Sequence, residues 1–245
     1  MTELGANRYG KSAIRLVKVV RDGDRHAVRD LTLAIALEGD FADSYVAGDN
    51  ALVVATDTMK NTVYAFAGEH LTGAIEDFGA VLARHFVGFD QVRRATVSID
   101  EHEWQPIGSA PDAFTRDRVS RRTAVVAADG ADDVTVDAGI ADLTVMKTTK
   151  SAFAGFPRDE FTTLPETTDR LLATKVSAVW RYGAATDYDA QHAAVRATLL
   201  NVFAEHESLS VQHSIWLIGR AIVERHPEVA EVTLTMPNLH HWLAD

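Results

Sequence analysis

Residues 31–37 read LTLAIAL, with Leu31, Leu33, Ile35 and Leu37 alternating strictly with Thr32, Ala34 and Ala36. Alternation at period two marks a strand with one buried face and one open face. Upstream, residues 14–20 (IRLVKVV) give a second strand-like run. Downstream, the segment from Leu71 to Phe86 carries Ile75, Phe78, Leu82 and Phe86 at helical spacing, an apolar stripe suited to lie on a sheet. Two more strands follow, at 92–99, where Ala95, Val97 and Ile99 alternate with Thr96 and Ser98, and at 122–128. Between them, Pro106, Gly108 and Pro111 predict a long loop.

After the turn at 129–133 the order begins again. Strands are expected at 143–147 and at 176–182, where Val176, Ala178, Trp180 and Tyr182 alternate. Helices are expected at 189–205 and 210–225, the second with Ile215, Ile218 and Ile222 on one face and stopped by Pro227. Residues 231–236 return to strand. The chain therefore reads as α+β in two domains, 8–131 and 132–245, each β-β-α-β, with a fourth strand in the first only. A repeat that lacks its last strand leaves a sheet edge with unpaired donors and acceptors, so the second domain is expected to be incomplete at its C-terminus.

Composition bounds the function class. With 245 residues, 47% of them hydrophobic and 24% charged, the chain is long enough for two small cores. A net charge of −11 and a pI near 5.3 argue against a nucleic-acid partner, which needs clustered Lys and Arg. No window holds the ~18 uncharged apolar residues of a membrane helix. The start, MTELGANRYG, lacks the features of a secretion signal, and the chain contains no cysteine, so a cytoplasmic location is expected. The ten histidines form no HExxH pattern, and GxGxxG, P-loop and GxSxG patterns are missing, so neither metal nor nucleotide cofactor has sequence support.

The stretch 48–64, GDNALVVATDTMKNTVY, is ambiguous. The apolar run Ala51–Ala55 reads as a buried strand bounded by turn residues, with Thr56, Asp57, Thr58, Lys60 and Asn61 presented at its end. From periodicity alone, an N-cap cluster opening a helix is the stronger reading. The run ATDTMKNTVY at 55–64 resembles the signature of the urate oxidase (uricase) family, and YGKSAIRLVKV at 9–19 resembles that family's opening segment. The similarity runs nearly end to end.

The resemblance implies tandem T-fold domains (β-β-α-β-β, antiparallel sheet with helices on one face). It implies a homotetramer with active sites between subunits, urate and O2 as substrates, and no cofactor. Carried over residue by residue, Arg170 (ETTDRLLAT) and Gln212 (SVQHS) clamp urate, Phe153 (SAFAGF) stacks on it, and Val211, Thr56 and Asp57 add contacts. Thr56 and Asp57 come from the neighbouring subunit. Lys11, Thr56 and His240 form a proton relay, and Asn238 holds oxygen or water over the purine. The chemistry suits these types: a guanidinium fork matches an acylurea edge, and a glutamine amide offers a donor beside an acceptor. Leu239 stands where many relatives have Lys, Phe161 replaces a common Tyr, and 102–122 is weakly matched. Two rival readings remain: another T-fold enzyme acting on a pterin or purine, and a non-catalytic purine-binding or assembly subunit.

Overall fold

The computed structural model describes residues 2–21, 23–117 and 119–240. These divide into two compact units, Met1–Ala138 and Gly139–Asp245, with the boundary inside a strand. No helix among the described residues is long and apolar enough to cross a membrane.

The first unit runs β1 (Tyr9–Val20), β2 (Ala27–Gly39), α1 (Ala42–Val46), α2 (Thr56–His70), α3 (Ile75–Val87), β3 (Val92–Glu101), β4 (Gln105–Pro106), β5 (Phe114–Thr115), β6 (Arg121–Ala128) and the start of β7 (Val134–Lys147). Strands β1, β2, β3 and β6 pair antiparallel in that order, so Leu33 of β2 sits between Ile14 and Ile99. The alternation seen in the sequence is kept: Leu31, Leu33, Ile35 and Leu37 are all buried. Helix α2 packs on β1, and α3 packs on β3 and β6, bringing Ile75, Phe78, Leu82 and Phe86 into the core.

The ambiguous stretch resolves against the strand. Residues 51–55 are turn and extended chain, with Ala51 and Leu52 exposed, and the helix α2 begins at Thr56. Its buried stripe is only Met59, Val63 and Ala67, spaced four apart among polar residues. Tertiary anchors support this thin stripe. The Tyr9 hydroxyl donates to the Val54 carbonyl at 3.0 Å, just before the helix. At the other end, the Lys18 ammonium donates to the carbonyls of Ala67, Gly68 and Leu71 at 2.9–3.0 Å, capping the C-terminus with charge where the dipole favours it.

The face of β2 away from the helices carries Asp30, which is nonetheless buried. Arg15 pairs with it, Trp104 donates its indole N–H at 3.0 Å, and Arg116 donates at 3.1 Å. This cluster pins the 102–121 segment over β2. That segment, expected to be irregular, contains the two-residue pairing β4–β5.

In the second unit the end of β7 is followed by β8 (Leu172–Tyr182), α4 (Tyr188–Glu205), α5 (Val211–Arg225), β9 (Val229–Thr235) and β10 (Asn238–Leu239). Strands β9 and β10 continue one antiparallel ladder along β8, interrupted at Pro237. The core gathers Leu172, Val176, Ala178 and Trp180 of β8 with Val195, Leu199 and Phe203 of α4 and Ile218 and Ile222 of α5. Among the described residues no strand pairs with the other edge of β9, where β3 of the first unit carries β6. Beside that edge, Trp216 and Val223 are exposed along a groove of about 530 Å³.

Two outcomes follow from these interiors. Glu76 of α3 is fully buried and holds Arg122 of β6 at 2.6 Å. Arg122→Met should therefore cost about 3–5 kcal/mol in urea unfolding, because a buried carboxylate loses its guanidinium. Burial holds His85, His102, His206 and His226 below the usual histidine range. Folded protein then binds fewer protons than unfolded, so stability is full above about pH 6.5 and declines as pH falls below it. A urea midpoint at pH 5.5 no lower than at pH 7.5 would contradict this.

Candidate active site

In the first unit the polar residues of interest gather where β1 meets α2. A Cβ on Gly10 would lie 1.8 Å from the Ile35 carbonyl oxygen, so only glycine permits this approach of β1 to β2. Immediately after it the register slips between Lys11 and Ile14, with Ala13 at φ 56°. Such a bulge re-aims the side chains around it. Lys11 lines a cavity of about 380 Å³ with Arg8, Ser12, Ala36, Thr96 and Ser98.

Thr56 and Asp57 form the exposed first turn of α2, which no side chain caps. The N–H groups there are open to an incoming acceptor. Asp57 receives hydrogen bonds from Lys60 and, at 2.9 Å, from Asn61. The Lys60 bond, aided by the nearby charges of Lys60 and Lys11, holds the Asp57 carboxyl below its ordinary range. Lys11 and Asp57 are thus electrostatic neighbours, one from a strand and one from a helix.

In the second unit Phe153 and Arg170 meet. The Arg170 guanidinium carbon lies 5.3 Å from the Phe153 ring centroid. Phe156 stacks on the same ring at 4.9 Å and 13°. Phe153 is tied to Thr167 by paired backbone bonds of 2.8 and 3.0 Å. The Asp169 carboxylate then accepts from Thr149 Oγ1 and from the Lys150 N–H, both within 3.0 Å. These bonds fold the 149–170 segment so that Arg170 returns to Phe153. The Arg170 Nε is buried and finds no acceptor among the described residues. A cationic donor left unmet in this way is costly unless a ligand completes it.

Val211 and Gln212 open α5, capped by Ser210, whose hydroxyl accepts from the His213 N–H at 3.1 Å. Gln212 is exposed. Ser151 and Ser208 form a bridge that draws the Phe153 segment toward the start of α5. Asn238, in β10, lies opposite Thr174, and both it and His240 are exposed.

The structure thus brings Lys11 near Asp57 and Phe153 near Arg170, each pair within one unit. Lys60 and Asn61 were not singled out as supports of Asp57, although their spacing of three and four from it is readable once 56–70 is taken as helix. Phe156 and Asp169 were missed too. Neither has a periodic signal, because the segment that holds them is irregular. Among the described residues no three His, Asp or Glu side chains converge as a metal site requires.

A family model described as Uricase matches residues 7–127 and 136–245. The uricase of Arthrobacter globiformis is 49% identical over 244 residues, covering 99% of this chain and 80% of that protein. The uricase of Dictyostelium discoideum is 37% identical, covering 98% and 86%. The crystal structure of the Arthrobacter globiformis uricase superposes with a TM-score of 0.95 at 48% identity, covering all of this chain and 85% of that one. A uricase from Bacillus fastidious gives 0.83 at 25% identity, covering 96% and 86%.

One outcome tests how Arg170 is delivered. Asp169→Ala should cost about 1–3 kcal/mol, since it orphans the Lys150 N–H and Thr149 hydroxyl. It should also speed proteolytic cutting within 154–168 more than cutting elsewhere.

Proposed function

The chain belongs to the uricase family, a family of urate oxidases, and we propose that it oxidises urate with O2 and water to 5-hydroxyisourate and H2O2, without a metal or organic cofactor. The observation that carries this reading is the buried, unanswered Arg170 Nε against the Phe153 ring. Urate is a flat anion: it supplies the acceptor edge that the guanidinium lacks, and its plane suits stacking with an aromatic ring.

In this reading Arg170 and Gln212 hold opposite edges of urate, Phe153 stacks on it, and Val211 closes one side. The half-site of a second copy, Thr56 and Asp57 at the open start of α2 with Lys11 nearby, completes the pocket. Urate must give up a second proton to become an electron-rich dianion that passes two electrons to O2. Lys11 acts as the base through the Thr56 hydroxyl, and His240 completes the relay through water, with Asn238 holding oxygen and then water over the ring. Water adds at C5 of the oxidised purine, and O2 leaves as H2O2, which balances atoms and electrons. The chain's net charge of −11 repels an anionic substrate at long range, so local cations must do the capturing. Arg170, and Lys11 with Arg8 in the other half-site, provide them.

We propose a homotetramer as the working assembly, because each half-site carries only part of the chemistry. Sedimentation should give a mass well above one chain, and a monomer with full turnover would exclude a shared site. Arg170→Ala should raise KM by the equivalent of about 2–5 kcal/mol of lost binding, read from urate's ultraviolet absorbance. Lys11→Met should leave KM near the parent value and lower kcat by about 10²–10⁴-fold. Full turnover in Lys11→Met would end the relay assignment.

A further inference from the structure

Behind the Phe153 segment and the start of α5 lies a buried polar chain that the reaction does not use. Lys147, the last residue of β7, is buried and donates to the carbonyl of His206, with its ammonium 5.8 Å from the Phe203 ring centre. His206 caps the C-terminus of α4. Its Nδ1 lies 2.6 Å from the Val202 carbonyl, and its Nε2 lies 2.8 Å from the Ser214 hydroxyl. Ser214 is in turn 2.8 Å from the Ser208 hydroxyl, and both serines are fully buried. The Ser208 N–H donates to the Lys150 carbonyl at 2.9 Å, and its carbonyl accepts from the Ala152 N–H at 2.7 Å. A single polar path therefore joins the end of β7, the end of α4, the residue before Phe153, and the first turn of α5.

Burial pushes the His206 ring below the usual histidine range, which favours its neutral form. Neutral imidazole has one donor and one acceptor. Nδ1–H then donates to Val202, and Nε2 accepts from Ser214; the Ser208 hydroxyl reaches both the Ser214 oxygen and, at 3.1 Å, the Ser210 carbonyl. Both ring nitrogens are thereby engaged, and a connected network of this kind holds its members rigidly.

An apolar filling would be the cheaper solution, and the first unit adopts it. There, Ile75, Phe78, Gly79 and Leu82 of α3 follow an apolar Ala74. In the second unit the same spacing recurs as Ile215, Ile218, Gly219 and Ile222, and the residue before it is Ser214. The polar substitution stands where two substrate-facing segments must be held together, and the first unit has no such pair there.

We propose that His206, acting through Ser214 and Ser208, is a positioning residue for the substrate clamp, fixing the Phe153 segment against the Val211–Gln212 turn. This rests on the urate reading above. Small misplacement of a clamp costs affinity for substrate far more than it costs folding.

The test compares His206→Leu, which breaks the link to Ser214, with His206→Gln, whose amide still offers Ser214 an acceptor. In His206→Leu, KM for urate should rise about ten-fold while kcat stays within about two-fold, and His206→Gln should recover most of the loss. Xanthine, which shares the acylurea edge, should show the same order of affinities by calorimetry. A melting temperature measured alongside separates misplacement from unfolding. An unchanged KM in His206→Leu, or a loss that His206→Gln does not relieve, overturns the proposal alone. A parent protein that neither consumes urate nor binds xanthine overturns the urate reading and this proposal with it.

Discussion

A sheet covered by helices on one face must send every second side chain to the other. In β2 this constraint commits Leu31, Leu33, Ile35 and Leu37 to the core and leaves Asp30, Thr32, Ala34 and Ala36 on the opposite side. The small alanines there help to form the cavity that Lys11 lines, whereas larger residues would fill it. Asp30, left on the same side, became the anchor of the 102–121 segment through Arg15, Trp104 and Arg116. The polar face is thus not a by-product of the fold. Its composition decides where a ligand has room and where a loop is tied down.

The second unit solves a different problem. Phe153 and Arg170, proposed above to meet the substrate, lie in irregular chain, so their placement depends on hydrogen bonds rather than on periodicity. Asp169 and the Phe153–Thr167 pairing fold one loop, and Ser208 draws it toward α5. Each bond is modest, near 1 kcal/mol net, but breaking one orphans a partner at greater cost. Rigidity here comes from hydrogen bonds between loop segments, where in the first unit it comes from strand pairing and burial.

This difference explains what was legible in the sequence. Strands such as 31–37 and 92–99, and the helices at 75–87, 188–205 and 211–225, carry strong periodic signals, and the structure has them within a few residues. A helix opening in 48–64 is the stronger reading from periodicity, but the extent of α2 is not readable. Met59, Val63 and Ala67 make a thin stripe among threonines and asparagine, and its anchors, Tyr9 and Lys18, lie some fifty residues away. The strand read at 51–55 failed for the same reason: a short apolar run does not reveal whether it pairs. Periodicity had nothing to say about Arg170, Phe153 or Gln212. They were readable only through resemblance to a family, and their supports, Asp169, Phe156 and Lys60, were not readable even so.

The double fastening of α2 bears on what assembly must accomplish. Tyr9 grips the chain just ahead of the helix, and Lys18 grips its far end, both from β1, the strand that also bears Lys11. Strand and helix are therefore fastened together at both ends. In the assembly proposed above, Thr56, Asp57 and Lys11 would reach a second copy as a preassembled jaw. The entropy of ordering them having been lost during folding, little docking energy would go into shaping the pocket.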